Sequence, residues 1–589
     1  MSKTIKKYAN LHRALHYVGD SRRLFGIGLV SILVVTIGQL SGPLILRSII
    51  DESIPRGDLT GLMIRAGAYL AILLVMGLLS YMGIITISRL GLEVVTRIKY
   101  DVFSHLLTLP VSYFDAHPVG ELISRTESDS ERVRELFSQI AVTIIVNTLF
   151  FLGMLGVCFY LEPRITLYLA LATPTVLILV IFVFDKLRHL YDLHRQYYAQ
   201  ILARITEFIQ GWDVLRVFNR EAWAIAQVDE SSRKRRDVDV KSSMLQYGIM
   251  GALNFSLGPL FMVLIILFFV PQVVQGALTV GTLLVFFEYS RRIFEPLMAI
   301  AENIRGIQQA RVSLDRIFTI LDLEPETASR LEESDGVIHF EHEIEFRHVW
   351  FAYKGEDWVL KDVSFTIKRG ETIAVVGASG SGKSTTIGLL CGFYRPQRGE
   401  ILIDGQNLAA IDLSRWRRSI GLVLQDVYLF PGSILENIRL YDDSVGEEHI
   451  WQALEAVHGA DFVRDLPMGL ASELRERGGN ISAGEKQLLS FARALAFNPQ
   501  LIILDEATAS VDVRTERKIH ESMQALFSGR TALVVAHRLS SIQSADCILF
   551  FKDGQIVQRG RHEELLAGFP PYAELVRLQF PNLDEGGER

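Results

Sequence analysis

Six apolar runs dominate the first half of the chain, and they constrain its fold more than any other feature. They lie near Leu24–Ile50, Ala66–Ile87, Gln139–Leu161, Ile165–Phe184, Gly248–Val270 and Thr279–Ile300. Each is long enough to cross a hydrocarbon layer of about 30 Å, which takes roughly 20 helical residues. The connections between them alternate in size. Asp51–Arg65, Glu162–Arg164 and Pro271–Gly276 are short turns that fall on one side. Residues 88–138 and 185–247 are long, charged and helix-patterned, and fall on the other. Buried helices of a large soluble protein would not be expected to show six such runs with this alternation. Lys3, Lys6, Lys7, Arg13, Arg22 and Arg23 precede the first run and place that end in the cytosol. The long connections are then cytosolic extensions of the spans. The first twenty residues hold no apolar core or small-residue cleavage site, so no cleavable signal peptide is expected. Residues around Leu11–Phe25 read either as an amphipathic interfacial helix or as an ordinary cytosolic tail.

A chain of 589 residues is too long for one core. A net charge of −7 argues against a nucleic-acid partner, whose footprint is a basic face. Cys158, Cys391 and Cys547 are far apart and in no metal spacing, which fits a reducing cytosol. Near Leu331 the composition changes. Leu331–Gly336 is polar and reads as a linker, and strands and helices alternate beyond it. The expected division is a cytosolic or interfacial segment at 1–23, a six-span domain at 24–325, a linker at 326–342, an α/β domain at 343–580 and a polar tail at 581–589.

Within that α/β domain, Gly377-Ala378-Ser379-Gly380-Ser381-Gly382-Lys383-Ser384 matches G-x-x-x-x-G-K-[ST]. The strand-like Thr372–Val376 precedes it and a helix-compatible run, Ser384–Leu390, follows. Glycines there let successive backbone N–H groups converge on phosphate oxygens, and the helix N-terminus adds positive partial charge. Lys383 would reach the β/γ-phosphates and the Ser384 hydroxyl would ligate Mg²⁺. A second element, Leu501-Ile502-Ile503-Leu504-Asp505-Glu506, is a buried strand ending in two acids. Asp505 suits Mg²⁺ organisation and Glu506 suits a general base that polarises water.

The order of elements then becomes specific. It runs P-loop, Gln425, Asn480-Ile481-Ser482-Ala483-Gly484-Glu485-Lys486-Gln487, strand-Asp-Glu, Ser510-Val511-Asp512, and His537 after Thr531–Ala536. The second half resembles the nucleotide-binding domain of ATP-binding cassette (ABC) transporters, and the whole chain resembles an exporter half-transporter. The resemblance implies an α-helical six-span transmembrane domain followed by an α/β P-loop cassette that takes ATP and Mg²⁺. Tyr353 would stack on adenine, while the loop Gly377–Ser384 and Thr385 hold phosphates. Gln425 would sense the γ-phosphate and Mg²⁺. Ser482 and Gly484 would bind the γ-phosphate held by an opposite subunit, beside Ala483 and Glu485. Asp512 would communicate across the dimer, and His537 would hold the γ-phosphate and attacking water. Glu476-Arg477-Gly478 resembles the loop that touches the coupling helices. Leu109–Asp115 with Gly120–Arg125 resembles the first coupling segment, and Glu207–Phe218 the second.

One departure stands out. The family's usual Leu-Ser-Gly-Gly-Gln is Ile481-Ser482-Ala483-Gly484-Glu485 here, while Glu506 and His537 are intact. That combination favours a heterodimer with a second half-transporter over a homodimer. In the sixth run, Glu288 can pair with Arg291 or Arg292 at helical spacing; the sharper alternative has one of these three lining a substrate vestibule. Asn147 and Asn254 raise the same question. The resemblance implies an ATP-driven exporter of hydrophobic or amphipathic compounds, lipids included, in a cell (inner) membrane with its cassette in the cytosol. The alternative is an ATP-gated channel or a regulatory subunit; the intact Glu506 argues against a degenerate regulator.

Overall fold

The computed structural model describes residues 2–19, 21–326, 338, 340–505, 513–536 and 542–579. They form two compact units, one of residues 1–107 and 119–323, the other of residues 108–118 and 324–589. The sequence division gave 108–118 to the span domain; its contacts group it with the cassette. The expected linker core Leu331–Gly336 and the tail at 581–589 lie outside the described residues.

The first unit is helical. Arg22–Ser48 carries the first apolar run and Leu59–Leu106 carries the second and continues well past it. Ala141–Leu161 holds the third, preceded by a π-helical turn at Leu136–Ile140. The fourth and fifth runs sit inside the long helices Pro163–Gln210 and Glu221–Val274. Among the described residues, three helical stretches are long and apolar enough to cross a membrane: Arg23–Arg56, Leu59–Leu106 and Val119–Leu161. The sixth run, read as one span over Thr279–Ile300, is divided between Val280–Arg292 and Phe294–Leu321. Pro296 explains the break: it has no N–H to offer the carbonyl of Arg292 four residues back.

Polar contacts fasten this unit at both ends. Asp51 accepts from the Thr279 hydroxyl at 2.6 Å and from the Gly281 amide at 2.8 Å, capping the N-terminus of Val280–Arg292. Deeper in, the Tyr289 hydroxyl donates to the Leu40 carbonyl at 2.6 Å. The N-terminal segment is a helix, Ser2–Gly19. It is docked by a two-pronged Arg13–Asp322 pair, both contacts at 2.8 Å, and by Tyr17 donating to Asp101 at 2.8 Å.

The second unit is built on two main sheets, beside a two-stranded antiparallel pair of β7 (Gly432–Ser433) and β8 (Glu473–Leu474). β1 (Glu343–Ala352), β2 (Trp358–Lys368), β4 (Arg398–Ile403) and β5 (Gln406–Asn407) form an antiparallel sheet in the order β2-β1-β4-β5. The larger sheet has the order β12-β11-β3-β10-β9-β6. Its strands are β3 (Thr372–Gly377), β6 (Ile420–Val423), β9 (Leu501–Asp505), β10 (Thr531–Val535), β11 (Cys547–Lys552) and β12 (Gln555–Gly560). All neighbours in it are parallel except the edge pair β11–β12. Alternation along the strands feeds two cores. Ala374, Val376, Ile502, Leu504, Ala532 and Val534 face one, and Ile373, Val375, Leu501, Ile503, Leu533 and Val535 face the other. Both faces are covered, so the strands read as continuous apolar runs.

The β4–β5 hairpin closes through Asp404-Gly405, both with positive φ (46° and 81°), the two-residue turn whose twist matches paired strands. The Asp404 carboxylate also accepts the amides of Glu341, His342 and Glu343 at 2.6, 2.9 and 2.9 Å. Burial pushes this carboxyl up, but the three amide donors outweigh it and hold it below the usual carboxylate range. Its contribution to stability is therefore present above the unfolded pKa and fades as pH falls through the folded one. Asp404→Asn keeps the residue's tolerance of positive φ and removes the charge. Thermal melting should show a lower Tm for this variant at neutral pH, with the gap to wild type shrinking as the solution is acidified into the carboxylate range. A constant gap would contradict this account.

Candidate functional site

The parallel order brings the carboxyl ends of β3, β10 and β9 side by side, with Val535 level with both Val375 and Asp505. The chain after β3 folds into the loop Gly377–Gly382 and enters the helix Lys383–Leu390. Glycine is required at two points. A Cβ on Gly377 would lie 2.3 Å from the Phe551 carbonyl oxygen. Gly382 has φ +103°, and a Cβ there would lie 2.5 Å from the Leu360 side chain. Lys383 is buried, and its Nζ donates to the carbonyls of Gly377 at 2.8 Å and Ala378 at 3.0 Å. Burial lowers its pKa, with the charge of Asp505 acting in the opposite direction. Ser381 Oγ is buried and has no hydrogen-bond partner among the described residues. An orphaned hydroxyl, an ammonium folded into the loop and a helix N-terminus together form a donor set that fits phosphate oxygens.

Tyr353 is half exposed. Its hydroxyl shares a 3.1 Å hydrogen bond with Thr385 Oγ1, and its ring meets those of Phe351 and Tyr394 edge-on at 4.9 and 5.2 Å. The base-stacking candidate and the P-loop helix are thus joined in one cluster. Sequence reasoning missed Tyr394, whose hydroxyl donates to Asp115 of the segment 108–118. A cavity of about 890 Å³ opens beside these aromatics, lined in part by Asp115, Tyr353, Lys354, Tyr394 and Arg395. Gln425 is exposed just beyond β6, on the other flank of β9.

Ser482 caps the helix Ala483–Ala496. Its hydroxyl accepts from the Glu485 amide at 3.3 Å, and the Glu485 carboxylate turns back to accept from the Ser482 amide at 2.7 Å. Glu485 therefore stands at the helix entrance, where it uses one of the amides that would otherwise face outward. Ser482 and Ala483 are exposed and Gly484 is buried. Just upstream, Arg477 has φ +53° and Gly478 φ +63°. In the other unit, Glu288 pairs with Arg292 at 2.8 Å and Arg291 at 3.5 Å, the helical pairing that its spacing predicts. Asn147 donates to the Thr143 carbonyl of its own helix at 2.7 Å. Glu506, Ser510, Asp512 and His537 lie outside the described residues, as does the side chain of Asn254.

The stretch that resembles a second coupling segment leaves a broad apolar surface. Ile209, Trp212, Val214, Val217, Phe218 and Ile225 are all more than half exposed at the turn between the helices Pro163–Gln210 and Glu221–Val274. A cavity of about 730 Å³ lies against this surface, between Phe208, Trp212 and Ala224.

The ABC transporter transmembrane region matches residues 25–297, and the ABC transporter domain matches residues 360–509. The protein exp8 of Streptococcus pneumoniae is 32% identical over 98% of both chains. The ATP-dependent lipid A-core flippase of Haemophilus ducreyi is 32% identical, over 91% of this chain and 92% of its own. The structure of a bacterial Atm1-family ABC exporter with ATP bound superposes with a TM-score of 0.78 at 26% identity, covering 96% of this chain and 99% of that one. With a glycine loop at the carboxyl edge of a parallel sheet and apolar helices ahead of it, the chain belongs to the ABC transporter family and couples ATP hydrolysis to export across a membrane.

Proposed function

We propose that this chain is one half of a dimeric exporter that moves hydrophobic or amphipathic molecules, lipids among them, by alternating access. The observation that carries the reading is the one-sided nucleotide site. The P-loop cradle holds the buried Lys383 ammonium and the buried, unpartnered Ser381 hydroxyl, and the Ser482-Ala483 helix entrance is exposed. Phosphoryl transfer depends on surrounding the transferring group with fixed charge and dipoles. A second cassette supplies the missing wall for each P-loop. The exposed apolar surface at Trp212 and Phe218 offers a second docking face for such a partner. Relatives named as a lipid A-core flippase and as a fatty acid ABC transporter support a lipid-like cargo.

In this reading Tyr353 stacks on the base, and Lys383, the loop amides and Thr385 hold the phosphates, with Thr385 Oγ1 hydrogen-bonded to Tyr353. Ser384, Asp505 and Gln425 would hold Mg²⁺, which neutralises phosphate charge. Glu506 is the general base, His537 holds the γ-phosphate and water, and Asp512 communicates across the interface. The six-span domain spans 24–325 and the cassette 343–580, the latter on the cytosolic side of a cell (inner) membrane. Glu485 favours a heterodimer: its carboxylate places negative charge where a partner's γ-phosphate would approach.

Lys383→Ala should weaken ATP binding and lower turnover by about a hundredfold, measured as KM and kcat for ATP in reconstituted membranes; near-normal turnover would remove the P-loop from the site. Glu485→Gln preserves an acceptor for the Ser482 amide and deletes the charge. It should raise ATPase turnover by about two- to fivefold, the scale of a charge at an exposed helix terminus. No rise, or a fall, would show that this charge does not act on the phosphate. Purification in mild detergent with mass identification of the accompanying chain tests the heterodimer directly, and recovery of this chain alone as a dimer would overturn it.

A further inference from the structure

We propose that Glu326 is a positioning residue that ties the coupling segment 108–118, and the chain entering the cassette, to the C-terminal end of the P-loop helix by way of Arg417. This deepens the reading of Gly377–Ser384 as the ATP site and rests on it.

The P-loop helix is Lys383–Leu390. A helix leaves its last carbonyls without partners. Here two consecutive side chains satisfy them. Trp416 Nε1 donates to the Leu390 carbonyl at 2.8 Å. Arg417 Nε donates to the Cys391 carbonyl, and its Nη2 to the Gly392 carbonyl, both at 3.0 Å. Trp416 is fully buried, so the helix Leu413–Arg418 that carries both residues is anchored in the core. The P-loop helix is therefore held at its far end by a rigid element that leads into β6 and on to Gln425.

Arg417 has donors left over, and Glu326 takes them. Its two carboxylate oxygens accept from Nη1 at 2.7 Å and from Nη2 at 2.9 Å, a fork-to-fork pair. Both side chains are largely shielded, at 17% and 29% exposure, so solvent screens the pair only in part. The guanidinium also lies 5.4 Å from the centre of the Phe393 ring. The backbone of Glu326 does the remaining work: its N–H donates to the Thr108 carbonyl at 2.8 Å. Thr108 opens the segment that Asp115 closes against Tyr394. One residue thus joins the entering chain, the coupling segment and, through Arg417, the helix whose other end cradles phosphate. Lysine at 417 could supply the charge but not the fork together with both carbonyl contacts.

The test uses the full-length transporter, with whatever partner co-purifies, in liposomes. Its variants are Glu326→Ala, Glu326→Asp and Arg417→Lys. Two measurements are made: hydrogen exchange of residues 108–118 with and without MgATP, and ATPase with and without a fluorescently labelled phospholipid whose translocation is followed by quenching. In wild type MgATP should slow exchange in 108–118. In Glu326→Ala the KM for ATP and basal kcat should stay within about twofold, while lipid stimulation falls by about three- to thirtyfold and the ATP-dependent protection of 108–118 is lost. Glu326→Asp should retain most of both responses, and Arg417→Lys should behave like Glu326→Ala. Unchanged protection in Glu326→Ala, or basal and stimulated rates falling by the same factor, would overturn the proposal. Should wild type fail to move the lipid, the cargo reading fails, and the exchange measurement still decides the role of Glu326.

Discussion

Everything in the cassette depends on how a parallel sheet presents phosphate-binding groups at its carboxyl edge. β3 ends where the chain must turn sharply into a helix, and glycine at 377 and 382 is what lets it turn without striking Phe551 or Leu360. The reward is a helix N-terminus, an ammonium folded onto the loop carbonyls and a buried hydroxyl without a partner among the described residues, all gathered in one loop. The same geometry imposes a limit. Groups along one edge of a sheet enclose a triphosphate from one side, and the opposite wall has to come from elsewhere. The Ser482 helix entrance is exposed, and in the proposed reading dimerisation becomes part of the chemistry.

Energy released at such a site matters only if the surrounding structure is stiff enough to carry it. The P-loop helix is short, fastened to the core by Trp416 and to the entering chain by the Arg417–Glu326 fork. Tyr394 gives a second route, because it touches Tyr353 with its ring and Asp115 with its hydroxyl. The segment 108–118 leaves the helical unit and packs with the cassette. Through Asp115–Tyr394 and Thr108–Glu326 it is linked to the cluster around the P-loop helix. In the helical unit, the Asp51 cap and the Tyr289–Leu40 bond fasten the sixth run to the first.

Much of this was legible in the sequence, and the reasons are physical. Long apolar runs can only be helices in lipid, so the helical first half was readable from hydropathy. The P-loop could be placed because strand and helix signals flank it, and the Ser482 region through its place in the order of elements. What could not be read was contact between distant segments. Pro296 carried a local signal for the break in the sixth run, but the strength of the apolar pattern masked it. Glu326 and Arg417 are ordinary charged residues in sequence, and only the fold shows that Arg417 binds both Glu326 and the carbonyls at the helix end. Glu485 was read as an acid near phosphate, whereas in the structure its carboxylate also caps its own helix. The spacing from Ser482 to Glu485, that of a capping box, could have revealed this.

The central claim is that nucleotide is hydrolysed between two cassettes and not within one. The direct measurement is ATPase activity per subunit in lipid nanodiscs that hold either a single chain or an assembled pair, at equal lipid composition and saturating MgATP. The account predicts that the paired form turns over about a hundredfold faster or more, the scale of losing one wall of charge-stabilising donors. Equal activity in the two preparations would contradict it.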